Sequence, residues 1–171
     1  IVARVLAEKL KDEWGQTVIV DNRGGAGGVV GAEITARASP DGYTLLLAAG
    51  SILTAHKYMY ALPFDPDKDL APVIQAVDST NILSVHPSVP AGSVKELITL
   101  AKSKSLSYGS SGVGGTGHLA GELFNVMAGT QLVHVPYKGG GPAAAAALAG
   151  EVQVVFGSVV ATLPQVKAGR L

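Results

Sequence analysis

The chain is 171 residues long, 47% hydrophobic and only 15% charged, a balance that provides for a buried core and excludes intrinsic disorder. Thirteen Lys and Arg offset thirteen Asp and Glu, for a formal net charge of zero; with no basic stripe, nucleic acid is excluded as a partner. There is no cysteine, which removes a disulfide framework and a thiolate metal site, and no apolar run of about 18 residues reads as a membrane span.

In chain order, IVARVLAEKLKDEWG carries Val2, Val5, Leu6 and Leu10 on one helical face with Trp14 a turn further on. The sequence opens inside this helix with no capping residue ahead of it and closes at VKAGRL, so it reads as an internal part of a longer polypeptide. A β-branched strand is expected at Thr17–Asp21, then a glycine cluster at Gly24–Gly28 and a helix to about Ala38 that packs closely on a sheet. Pro40, Asp41 and Gly42 mark a turn, and Thr44–Ala49 reads as a buried strand. A short helix is expected within 50–60, and the Pro- and Asp-rich stretch 61–72 is a candidate boundary.

Two strands follow, PVIQAVDST and NILSVHP, then a helix that Ser93 caps with Glu96 three residues on. LSYGSS is a strand and 117–128 a helix, with Thr116 as candidate N-cap. LVHVPY is a strand, GGGPAAAAALAG a helix opened by Pro142, VQVVFGS a strand, and SVVATLPQVKAG a Pro-interrupted helix. Strands alternating with helices predict βαβ units and a mostly parallel sheet, with the boundary dividing the chain into 1–75 and 76–171. Ligands of such sheets sit beyond the carboxyl ends of the strands, where both glycine clusters fall.

The loop Gly109-Ser110-Ser111-Gly112-Val113-Gly114-Gly115-Thr116-Gly117-His118 follows a strand and opens a helix. Glycines leave amide N–H groups unshielded, the helix start adds unpaired donors and a partial positive charge, and Ser110, Ser111 and Thr116 add hydroxyls. The sum is an anion cradle without formal charge. Gly112-x-Gly114-x-x-Gly117 formally matches the dinucleotide fingerprint, but no acidic residue stands about 20 positions on, where HVPYKG is found. No Lys follows the last glycine as a P-loop requires. A nucleotide-dependent α/β enzyme is therefore the weaker reading, and a small carboxylate suits the loop better. His118 sits beside the loop, Tyr137 and Lys138 follow a strand at the same edge, and the four histidines fall on separate elements without metal-ligand spacing. No metal or cofactor is expected.

VDNRGGAGGVVGAE, SPDGYTLLLAA, LPFDPDKDLAPV, HPSVPAGSVKELITLAKS, LSYGSSGVGGTGHLAGELF and HVPYKGGGPA, in this order, resemble the receptors of tripartite tricarboxylate transporters, the Bug-type solute-binding proteins. The resemblance implies a two-lobed α/β fold of the type II periplasmic binding protein kind, with parallel-rich sheets flanked by helices. It implies a periplasmic, non-enzymatic receptor that passes a small organic acid to membrane transporter subunits. Ser110, Ser111, Gly112, Gly114 and Thr116 match the family's second-lobe loop; Tyr137 and Ser158 are candidates for side-chain selectivity. Gly157-Ser158 stand where the family often has an Asp. By the same resemblance 1–75 lacks the first strand and its loop, and 76–171 lacks the return to the first lobe. The exposed sheet edges then predict exchange of elements in a homodimer, or partial disorder.

Overall fold

The computed structural model describes residues 2–171. Residues 81–167 build a four-stranded sheet flanked on both faces by helices. Its strands are β1 (Asn81–Val85), β2 (Ser107–Ser110), β3 (Val133–Pro136) and β4 (Val154–Ser158), in the order β1-β4-β2-β3. β4, β2 and β3 run parallel, and β1 is antiparallel to β4 in the register Asn81↔Ser158 to Val85↔Val154. The sheet is parallel-rich as expected, with β1 as its one antiparallel strand among the described residues.

Alternation along the strands feeds two cores. Tyr108, Val154 and Phe156 face α5 (Val94–Ser103) and α6 (Thr116–Ala128), packing with Leu97, Leu106 and Leu132. Val152 and Val155 face α7 (Gly140–Leu148), whose Ala143, Ala146 and Ala147 let it lie close on the sheet. α8 (Val159–Lys167) packs on that same face, with Thr162 against Gly157. The Ser93 Oγ accepts from the Glu96 N–H at 3.3 Å, while Glu96 Oε2 accepts from Gly92 N–H at 2.7 Å, which caps α5 as expected.

Two expected starts differ. α7 begins at Gly140, with Pro142 at its third position, where the missing N–H would have no helical partner in any case. The N-cap of α6 is Gly115; Thr116 is the first helical residue, and its hydroxyl closes no cap.

Residues before 75 form α1 (Val2–Trp14), a short 3₁₀ turn at Ala26–Gly28, α2 (Val29–Ala36), α3 (Ser51–Thr54) and α4 (His56–Met59). The expected helix within 50–60 is these two single turns. α2 packs on Ile52 and Phe64, not on a sheet. The strands expected at Thr17–Asp21, Thr44–Ala49 and 72–80 are not strands. Their composition suits a ladder, but among the described residues no neighbour offers one, and a strand exists only by pairing. The apolar face of α1 is left open for the same reason: Ala7 is buried, whereas Val5, Leu6 and Trp14 are exposed. Among the described residues no helix is long and apolar enough to cross a membrane.

Candidate functional site

The parallel strands bring the loops after β2, β3 and β4 to one edge of the sheet, where α6, α7 and α8 begin. The β2–α6 loop is held close to this edge by two glycines of α6. A side-chain carbon at Gly117 would meet the Phe156 carbonyl, and one at Gly121 would meet the Tyr108 ring. Gly112 and Gly114 have φ of 126° and 74°, conformations open to glycine.

The loop amides divide into two groups. Gly112 N–H donates to Ser110 Oγ at 3.2 Å, Gly114 N–H to His118 Nδ1 at 3.1 Å, and Gly115 N–H to the Gly112 carbonyl at 3.2 Å. These three shape the loop. The N–H groups of Ser111, Val113, Thr116, Gly117 and His118 have no hydrogen-bond acceptor among the described residues. They stand at and beside the positive end of a 13-residue helix. The Ser111 and Thr116 hydroxyls also make no hydrogen bond among the described residues, and Ser111 Oγ lies against Gly115.

Ser110 points the other way. It is fully buried, its Oγ lying 2.7 Å from His134 Nε2 and 3.2 Å from the Gly112 carbonyl. Every group is satisfied when His134 donates to Ser110 and Ser110 donates to Gly112. The imidazoles of His118 and His134, on separate elements as expected, are nonetheless neighbours, tilted to one another with 4.1 Å between centroids, and Tyr108 stacks on His134 at 4.9 Å. Burial first, and then the adjacent His118, holds His134 down at about 4, so its ring is neutral at ordinary pH. His118 accepts from Gly114 through Nδ1, which places its own proton on Nε2. The Tyr108 hydroxyl donates to Glu122 at 2.7 Å; burial, then this carboxylate, pushes the phenol well up.

Tyr137 contributes its backbone to the loop's surroundings, its carbonyl lying beside Gly112. Its ring packs against the α7 core and over Gly109, where burial, and then Glu151, raises the phenol. Ser158 ends β4 at the same sheet edge and uses its carbonyl to accept from the Thr162 hydroxyl at 2.6 Å. Lys138 is exposed, and Arg23 pairs with Asp21 at 2.8 Å on the surface. Among the described residues no cluster of His, Asp or Glu is built to hold a metal.

Sequence reasoning missed the residues that arrive from before 75. The Tyr60 hydroxyl donates to the Val113 carbonyl at 2.8 Å. His56, wholly buried, packs its Nε2 edge against Gly27 and Gly114, while its Nδ1 lies 2.7 Å from the Ser51 carbonyl. Gly27, at φ 63°, lies so close to the Val113 carbonyl that no side chain fits. The first glycine cluster is therefore packed directly onto the second. The only sequence signal was the number of glycines in both.

Solved structures identify the class. A protein described as a periplasmic transporter superimposes with a TM-score of 0.92 at 42% identity, over 99% of this chain and 58% of its own. Rpa4515 of R. palustris, solved with adipate, gives 0.93 at 36% identity over 99% and 57%. MatC of Rhodopseudomonas palustris, with bound malate, gives 0.85 at 26% identity over 99% and 58%. The fold is that of the periplasmic binding proteins, of which the chain forms part.

Residues 2–171 match the tripartite tricarboxylate transporter family receptor, and the chain belongs to that family. Protein BugT of Bordetella pertussis is 36% identical over all of this chain and 54% of its own length. A UPF0065 protein from the tcbD-tcbE intergenic region of a Pseudomonas species is 32% identical over 99% and 51%. The chain spans about half the length of these curated relatives.

Proposed function

We propose that the chain is part of an extracytoplasmic solute receptor. In the periplasm, it captures a small organic carboxylate for uptake by the membrane subunits of a tripartite tricarboxylate-type transporter. The observation that carries this reading is the group of unclaimed amides at Ser111, Val113, Thr116, Gly117 and His118, set beside the free hydroxyls of Ser111 and Thr116. A carboxylate oxygen pair accepts several such donors at once, and the helix start favours its negative charge. The acids named with two structural relatives, adipate and malate, belong to the same chemical class.

In this reading residues 1–75 belong to one lobe and 76–171 to the other, and binding favours the closed arrangement of the two. Ser111, Gly112, Gly114 and Thr116 form the floor of the site. Ser110 and His118 support it from behind, and Tyr137 and Ser158 border it. The activity is binding, not catalysis, and no cofactor takes part.

Calorimetric titration of the natural full-length polypeptide tests it. Adipate, malate, citrate, glutamate and nicotinate are compared with NAD and ATP. Micromolar binding of at least one free acid is expected. Tight binding of a nucleotide with none of the acids overturns the receptor reading in favour of a nucleotide-dependent enzyme.

A further inference from the structure

The β2–α6 loop contains three glycines among Gly112–Gly115 and has almost no side chain with which to hold its own shape. Hydrogen bonds must fix the direction of its amides. One peptide unit, Val113–Gly114, is bonded at both ends. Its carbonyl accepts from the Tyr60 hydroxyl at 2.8 Å, and its N–H donates to His118 Nδ1 at 3.1 Å. The two partners come from opposite sides: Tyr60 from the residues before 75, His118 from the first turn of α6. Tyr60–Val113 is the one hydrogen bond among the described residues that joins the portion before 75 to the sheet portion. Beside it, the His56 ring stacks on Tyr60 at 5.3 Å between centroids and presses on Gly114.

A peptide preceding a glycine at φ 74° turns over readily, because glycine tolerates both signs of φ. If this one turned over, a carbonyl would replace an N–H in the loop and set a negative dipole end among the anion's donors. We propose that Tyr60 and His118 are positioning residues. Together they clamp the Val113–Gly114 peptide, and the Tyr60 end makes the anion loop's shape depend on the apposition of the two portions of the chain. The loop is complete only while Tyr60 is seated. This rests on the carboxylate reading for its effect on binding, but not for the clamp itself.

The test uses the natural full-length polypeptide, with adipate and malate as probes and amide hydrogen exchange measured without ligand. The Gly114 amide is expected to be protected in the wild type and to exchange faster in Tyr60→Phe, which alters only the opposite end of the peptide. Tyr60→Phe and His118→Leu are each expected to weaken acid binding about ten-fold, the effect of one hydrogen bond. The double variant should be little worse than either single one, because one released end already frees the peptide. His118→Asn, whose Oδ1 can accept from Gly114, should stay within about three-fold of wild type.

An unprotected Gly114 amide in the wild type overturns the clamp. So do losses that multiply to about a hundred-fold, or an Asn variant as weak as the Leu variant. Absence of acid binding in the wild type counts against the carboxylate reading, and the exchange measurement then judges the clamp alone.

Discussion

Ser111 and Thr116 flank the group of unclaimed loop amides, each with a free hydroxyl, whereas Ser110, next in sequence, is buried and bonded to His134. The residue types were legible from the sequence, since glycines and hydroxyls between a strand and a helix leave donors in excess. Which hydroxyl faced outward was not. It is decided by a bond between residues 24 apart, and the Tyr60 clamp by one between residues 53 apart. Replacing Ser111 or Thr116 with Leu should weaken acid binding by at least about a hundred-fold, through the lost hydroxyl and obstruction of the amides. Circular dichroism should show unchanged helix; unaltered affinity in both variants would remove the loop from the site. His134 gives a second prediction. Its folded value lies near 4, against about 6.5 for an unperturbed histidine. Between those values the unfolded chain binds a proton that the folded chain does not, so stability should fall as pH drops through that window. His118 and Glu122 face it, the first lowering and the second raising its proton affinity. Melting temperatures from pH 7.5 to 4.5 should decline, and His134→Gln should flatten part of that decline.

At the scale of elements, α6 carries the site because it can sit low on the sheet. Gly117 lies on the Phe156 carbonyl of β4 and Gly121 on the Tyr108 ring of β2, so the helix start is drawn down to the strand ends. Gly117→Ala adds one carbon against backbone that cannot yield. It should destabilise the chain by about 1–3 kcal/mol and displace the helix start, weakening acid binding in the same variant; denaturant unfolding and titration read the two effects. Gly25→Ala, by contrast, meets only a Val30 side chain, but its φ of 133° makes the substitution strained on backbone grounds. The strands and helices after 80 were legible as periodic runs between turn residues because each strand there has a neighbour. The segments Thr17–Asp21, Thr44–Ala49 and 72–80 have the same β-branched character and failed as strands. A sequence reports the capacity to pair, while the ladder depends on a partner. His118 and His134 illustrate the same limit among side chains: nothing in their spacing announced that β3 would bring one ring onto the other.

At the scale of the whole molecule, the two portions differ in how completely they cover their apolar surface. On the two faces of the sheet, Leu97, Tyr108 and Val154 on one side and Val155 on the other are sealed. Before 75, Ile19 is 84% exposed, Tyr43 93% and Ile74 83%. These residues lie on or beside the segments whose backbone forms no ladder, so unpaired peptide groups and uncovered apolar side chains occur together. Such a surface favours pairing with another chain. We therefore expect the 171-residue chain on its own to associate, with these segments exchanged between two copies. Sedimentation at rising concentration should show the mass moving from one copy towards two. Amide exchange at Thr17–Asp21, Thr44–Ala49 and 72–80 should slow over the same range, while β2 and β4 stay protected throughout. In the natural full-length polypeptide the same amides should be protected at every concentration, if further segments of that chain supply the partners. A monodisperse single copy of the 171-residue chain in which all three segments are already protected would refute the exchange. Those segments would then have found their order without any strand to pair with.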